Sequence, residues 1–129
     1  MFTLEQIKQR HSKVKSGADF PQYIRDLKLL GVNNYVTYVA DGHAEYFGKS
    51  NYHIRSDPKY SIINVSEKND NDKFRVYLKA HQQGQTDYLT FCNQAAETGV
   101  EKWVVLLNEM TCTYYDKTGN KVLVENVPQ

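Results

Sequence analysis

Apolar residues recur along the chain at two spacings, and the change from one to the other divides it into elements. Leu4, Ile7, His11 and Val14 share a stripe at helical spacing, and Thr3 with Gln6 has the form of a capping box. A first helix is expected from about residue 4 to residue 16, stopped by Gly17. Pro21 suits a first helical turn and opens a second stripe of Tyr23, Ile24, Leu27 and Leu30, which Gly31 closes with a left-handed cap. Alternation then replaces the helical period. Strands are expected at about 35–40 and 43–47 around Asp41-Gly42, a dipeptide that tolerates the positive φ of a tight turn, with a third near 52–56. Residues 60–65 read as one further short strand.

The polar run that ends in "NDND" separates this half from a second with the same succession. Asp70 or Asn71 caps a stripe of Phe74, Tyr77, Leu78 and His81 that ends at Gly84, and Thr86 caps another of Tyr88, Phe91, Cys92 and Ala95 that ends at Gly99. Strands at about 103–107, 110–115 and 121–125 follow, the last two joined by "DKTGN" with Gly119 in the left-handed position. At constant offset Tyr23 matches Phe91, Leu27 matches Ala95, Gly31 matches Gly99, Val32 matches Val100 and Tyr35 matches Trp103. The expected fold is α+β: four helices packed on antiparallel sheet or sheets. It forms one domain over 1–129, built from two copies of an α-α-β-β(-β) unit at about 1–66 and 67–129.

Strand alternation assigns faces. In the second half, opposing Asp116 to Asn120 and turning at Asn108-Glu109 puts Trp103, Val105, Leu107, Met110, Cys112, Tyr114, Val122 and Val124 on one apolar face, the expected core. The other face holds Val104, Leu106, Thr111, Thr113, Tyr115 and Leu123. It is too apolar for an ordinary wetted surface, so Val104, Leu106, Tyr115 and Leu123 are the candidate interface. In the first half, turns at Asp41-Gly42 and Lys49-Ser50 place Tyr35, Thr37, Val39, Ala44, Tyr46, His53 and Arg55 together, inward by analogy with Trp103. The outward set is then Val36, Tyr38, His43, Glu45, Phe47, Tyr52 and Ile54. Among these, Tyr38, His43, Glu45, Phe47 and Tyr52 form the candidate binding surface.

Composition narrows the function. The 16 Lys+Arg nearly balance the 15 Asp+Glu, so no strong field gathers polyanions, and neither nucleic acid nor a membrane is an expected partner. Absence of a long apolar run or a leader-like N-terminus points to a cytoplasmic protein. Cys92 and Cys112 read as reduced, buried small apolar groups. His43 and Glu45 have the donors of a metal site or of a base with its orienting carboxylate. His53 falls on the opposite face and Asp41 in the turn, however, so three ligands do not converge, and no metal or other cofactor is expected. "NDND" lacks the later glycine and glutamate of a calcium loop and is a helix cap. No phosphate-binding glycine loop, nucleophile elbow or HExxH is present, and no catalytic residue is assigned. Ten tyrosines are the compositional oddity, and side chains with an apolar body and a polar tip favour interfaces and ligand grooves. The expected function is a protein-interaction module that forms a homo-oligomer or takes a protein partner. The alternative is a small-molecule-binding protein or minor enzyme using the Tyr38/His43/Glu45/Tyr52 face or a cleft between the halves.

The phrases "KSGADFPQYIRDLKLLGV", "TYVADGHAEYFG", "LKAHQQGQTDYLTFC" and "GVEKWVVLL" followed by "TCTYYDKTGNKVLVE" resemble the YbcV-like family of small bacterial and prophage-associated proteins. The likeness covers essentially the whole chain. It implies a bacterial source and a mobile-element link. Members often carry the label "phage envelope protein", but the family is one of unknown function and implies no catalytic or binding residue. Where that family often has an acidic residue after Trp-Val-Val, this chain has Leu106, which makes the outer face more apolar.

Overall fold

The computed structural model describes residues 1–15 and 17–127. Its elements in chain order are α1 (Leu4–His11), α2 (Phe20–Leu30), β1 (Asn34–Tyr38), β2 (Ala44–Phe47), β3 (His53–Arg55), α3 (Asn71–Gln82), α4 (Tyr88–Glu97), β4 (Val100–Leu106), β5 (Thr111–Asp116) and β6 (Lys121–Asn126). The fold is α+β. All strand pairs are antiparallel, and the six strands form one sheet in the order β3-β2-β1-β4-β5-β6. Two three-stranded meanders are thus joined edge to edge by β1 and β4. At the middle of that seam Val36 lies directly opposite Val104.

Local chemistry explains most boundaries. The Thr3–Gln6 capping box forms as expected, and Gly31 (φ 103°) and Gly99 (φ 91°) turn the chain from helix into strand. A side chain at Gly99 would also run into Asn69 and the Lys68 carbonyl, so that joint requires glycine twice over. Helix α1 stops at His11, earlier than the stripe predicts. Ser12 is its C-cap and bonds back to the Gln9 carbonyl, and the remaining positions up to Lys15 are not helical; Ser16 lies outside the described residues. Asp87, not Thr86, caps α4, because its carboxylate accepts the Thr90 N–H at 2.7 Å while Thr86 is engaged by His81. Residues 60–65 form no strand. Their backbone is bonded to the Asp41 and Ala40 carbonyls, so they wrap the sheet's end while Tyr60 and Ile63 pack on the core.

One face of the sheet carries the helices. Tyr23 of α2 meets Tyr46, Phe74 of α3 packs on Tyr114, and Phe91 of α4 packs on Trp103, while α1 leans on α2 through His11 and Tyr23. Ile24, Leu27, Phe74, Val105 and Leu107 are fully enclosed in this layer. At about 25 cal/mol per Å² of apolar area, such side chains supply the main stabilising term.

Two strands differ from expectation in register. Lys49–Asn51 is a 3-10 turn with Ser50 and Asn51 at positive φ, so the chain enters β3 one residue out of the predicted phase. His53 and Arg55 therefore stand opposite Phe47 and Glu45 on the open face, and Ile54 stands opposite Tyr46 on the helix side. Similarly, a register shift between Tyr114 and Tyr115 places Leu123 opposite Tyr114 and Val124 opposite Thr113. Val124 is consequently 50 % exposed, and Leu123 packs against the core. The isolated alternation was read correctly, but the turn and the bulge each add a residue that reverses it.

Candidate binding cleft

Between the α1/α2 pair and the α3/α4 pair, the helix layer leaves a cavity of about 690 Å³. Its floor comes from inward residues of five strands: Tyr46, Tyr35, Thr37, Trp103, Cys112, Tyr114 and Glu125. Strands lie about 4.8 Å apart, so a floor from β2 to β6 is roughly 19 Å long. Tyr23, Phe20 and His11 line one wall, and Tyr88, Phe91, Leu78 and His81 the other. A volume of this size lies within the ordinary range for a small-molecule site.

Most polar tips in the cleft are engaged. The Tyr23 and Tyr46 hydroxyls share a hydrogen bond, the Tyr114 hydroxyl donates to Glu125 Oε1 at 3.5 Å, and Gln82 Nε2 donates to the same oxygen at 3.0 Å. His81 stacks on Phe91 at 4.4 Å between ring centres, and its Nδ1 lies 3.1 Å from the Thr86 carbonyl. A carbonyl only accepts, so Nδ1 carries the hydrogen. Two groups differ. Tyr35 is 5 % exposed and Trp103 is 9 % exposed, yet among the described residues neither the Tyr35 hydroxyl nor the Trp103 indole N–H has a hydrogen-bond partner. The one side-chain polar atom sealed without a partner among the described residues is Gln94 Oε1, so the Tyr35 and Trp103 groups open onto the cavity they line.

The deep part of the cleft carries no fixed charge. Burial pushes the Tyr35, Tyr88 and Tyr114 phenols well above their usual range and raises Cys112 to about 12, so all remain protonated. Burial also lowers His81, against the opposing pull of the Thr86 carbonyl and Asp87. Charge gathers at the ends. Glu125, raised by burial and held down in part by Gln82 and Tyr114, stands at one. Lys59 stands at the other, with its Nζ 5.8 Å from the centre of the Tyr88 ring.

Beyond Lys59 a smaller space of about 250 Å³ adjoins, lined by Ile7, Lys8, His11, Tyr46, Ser56 and Lys59, and it shares His11, Tyr46 and Lys59 with the cleft. Among the described residues no three His, Cys, Asp or Glu side chains come together to hold a metal.

A family model described as "Protein of unknown function (DUF1398)" matches residues 8–126. The chain belongs to this family. No curated protein matches the chain. The match takes in every strand and every helix beyond the first turn of α1, so the family relationship covers the whole cleft floor. Within this family member, the sequence-predicted surfaces separate. Tyr38, His43, Glu45 and Phe47 do share the open side. His43 stacks on Tyr38 at 4.5 Å, and its Nδ1 is bonded to Asp41 at 2.5 Å. Burial raises Asp41, but the hydrogen bonds from the His43 backbone and ring outweigh it and hold the carboxyl low. His43 is thus occupied in bracing its own turn.

Tyr52 leaves this group: its hydroxyl donates to the Phe2 carbonyl at 2.6 Å and its ring packs edge-on against Phe2. Val104, Leu106 and Tyr115 stay on the open face, and Leu123 moves to the covered one. The cleft residues Tyr35 and Trp103 read from sequence as core anchors alone, and Lys59 carried no signal. A sign was present in the tyrosines themselves, because a stripe that buries so many phenol tips must find partners for them or leave space beside them.

Proposed function

We propose that the protein binds a small molecule in the cleft between its two helix pairs. The observation that carries this reading is that a phenol hydroxyl and an indole N–H, on side chains more than nine-tenths buried and with no protein partner among the described residues, open onto one cavity floor. Donors held on a rigid floor and facing a cavity are placed for a ligand, and each hydrogen bond they make to one adds about 0.5–1.5 kcal/mol net. The expectation of a self-associating interaction module has less support. On the open face Val36, Val104, Thr113 and Val124 form one cross-strand row with the exposed Leu106 beside it, flanked by Glu45 and Lys102, but nothing in the structure shows what would cover that row.

The test is a thermal-shift screen with a chemically diverse small-molecule set, followed by binding to a Tyr35→Phe, Trp103→Phe double variant. A ligand at a hundred times its Kd stabilises by about 2.7 kcal/mol, or roughly 10 °C for a domain of this size. The variant should lose most of that shift. Ligands that stabilise wild type and variant equally would place binding elsewhere and sink the reading.

A further inference from the structure

The end of the cleft beneath α1 differs chemically from its floor. Lys59, Lys8 and His11 converge on the adjoining 250 Å³ space, and Lys59 and His11 also line the main cleft. Among the described residues neither Lys8 nor Lys59 forms an ion pair, although four ion pairs form elsewhere. The two ammonium groups also disfavour one another, and His11 is held toward its neutral form. Partial burial and the neighbouring Lys8 pull the Lys59 ammonium below its ordinary range, against an opposing effect of the Cys92 thiol, and burial and then Lys59 pull His11 down. Within one molecule the aromatic Tyr35–Trp103 part of the floor therefore leads directly to two ammonium groups, Lys59 and Lys8, that have no ion-pair partner among the described residues.

From this juxtaposition we infer that the cleft's ligand is an aromatic carboxylate, with its ring system on the Tyr35–Trp103 floor and its carboxylate beside Lys59, flanked by Lys8 and His11. The inference rests on the cleft being the binding site. A carboxylate fits better than a phosphate. No arginine lines either space to grip a phosphate in bidentate fashion.

Trp103 is the chain's single tryptophan, so the protein gives one indole N–H resonance, and that resonance belongs to the cleft floor. The experiment compares 2-naphthoate with 2-naphthamide by calorimetry and by the shift of that resonance, in wild type and in Lys59→Gln. The expected result is that both probes move the indole signal and the acid binds about tenfold more tightly, the size of one charge-assisted contact. Lys59→Gln should erase that preference and leave amide affinity unchanged, which also shows that the variant folds. Equal binding of acid and amide, or a preference that survives Lys59→Gln, overturns the carboxylate assignment while the moving indole signal upholds the cleft. If neither probe moves the signal the inference fails. The cleft reading falls separately, if stabilising ligands from the wider screen act on wild type and double variant alike.

Discussion

The two faces of the sheet are made by the same strands and are both rich in aromatic residues, but they use them differently. On the open face the rings find partners within the sheet: Tyr38 stacks on His43, Phe47 on His53, and Lys102 sits 5.7 Å from the Tyr115 ring centre. Each apolar surface is partly shielded by its neighbour, and the polar edges stay wet. On the covered face the rings point into a layer of helices that does not close, and two of their polar tips meet space. Aromatic content alone therefore says little about function. What distinguishes a site is whether the polar atoms on those rings are satisfied.

Graded substitutions can break or sharpen that contrast. The largest effect is expected at Phe74, fully buried on α3 and in edge contact with Tyr114. Phe74→Ala should cost about 3–5 kcal/mol in urea denaturation, and a loss below about 1 kcal/mol would mean the helix layer is not the stabilising one. Next comes Asp116, at the end of β5, which accepts bonds from Asn69, Thr118 and Asn120. The Asn69 bond first of all, with Asn120 and Thr118 overcoming burial, holds its carboxyl at about 2. Because the folded value lies below the ordinary one near 3.9, the stabilisation is present above about pH 4 and lost as pH falls toward 2. Asp116→Ala should cost about 2 kcal/mol at neutral pH, and its stability should fall less steeply than wild type between those pH values.

Tyr35→Phe should go the other way. Removing an unpartnered hydroxyl from the cleft floor is expected to raise stability by about 0.5–1 kcal/mol without ligand. A marked loss would mean the hydroxyl is bonded within the fold. The smallest effect belongs to the open face. Leu106, 38 % exposed, should tolerate Leu106→Lys within about 0.5 kcal/mol and with no change in sedimentation. A change of subunit number would revive the interface assigned to Val104, Leu106 and Tyr115.

Much of the fold was legible because its signals are local. The capping box at Thr3, the cap at Asp70, the left-handed glycines 31 and 99, and the Asp116–Asn120 turn each fix their own few residues. Faces were legible where alternation ran unbroken, as from Trp103 to Leu107. They were lost beyond Ser50 and beyond Val122, since a single added residue inverts the positions after it and nothing in the alternation marks it. The union of two meanders into one sheet, and the gap left between the helix pairs, depend on contacts between distant segments. For the same reason Lys59 was invisible as a site residue, sitting in an irregular stretch whose neighbours in space come from α1 and α4.

The seam where Val36 faces Val104 has a kinetic meaning as well. Every other strand pair joins sequence neighbours through a short connection, whereas these two residues lie more than half the chain apart. Closing that ladder carries the largest single loop-closure cost in the sheet, which places it late among the strand pairings. Folding should then be governed by one docking event between two preformed halves, and the cleft comes into being only at that step.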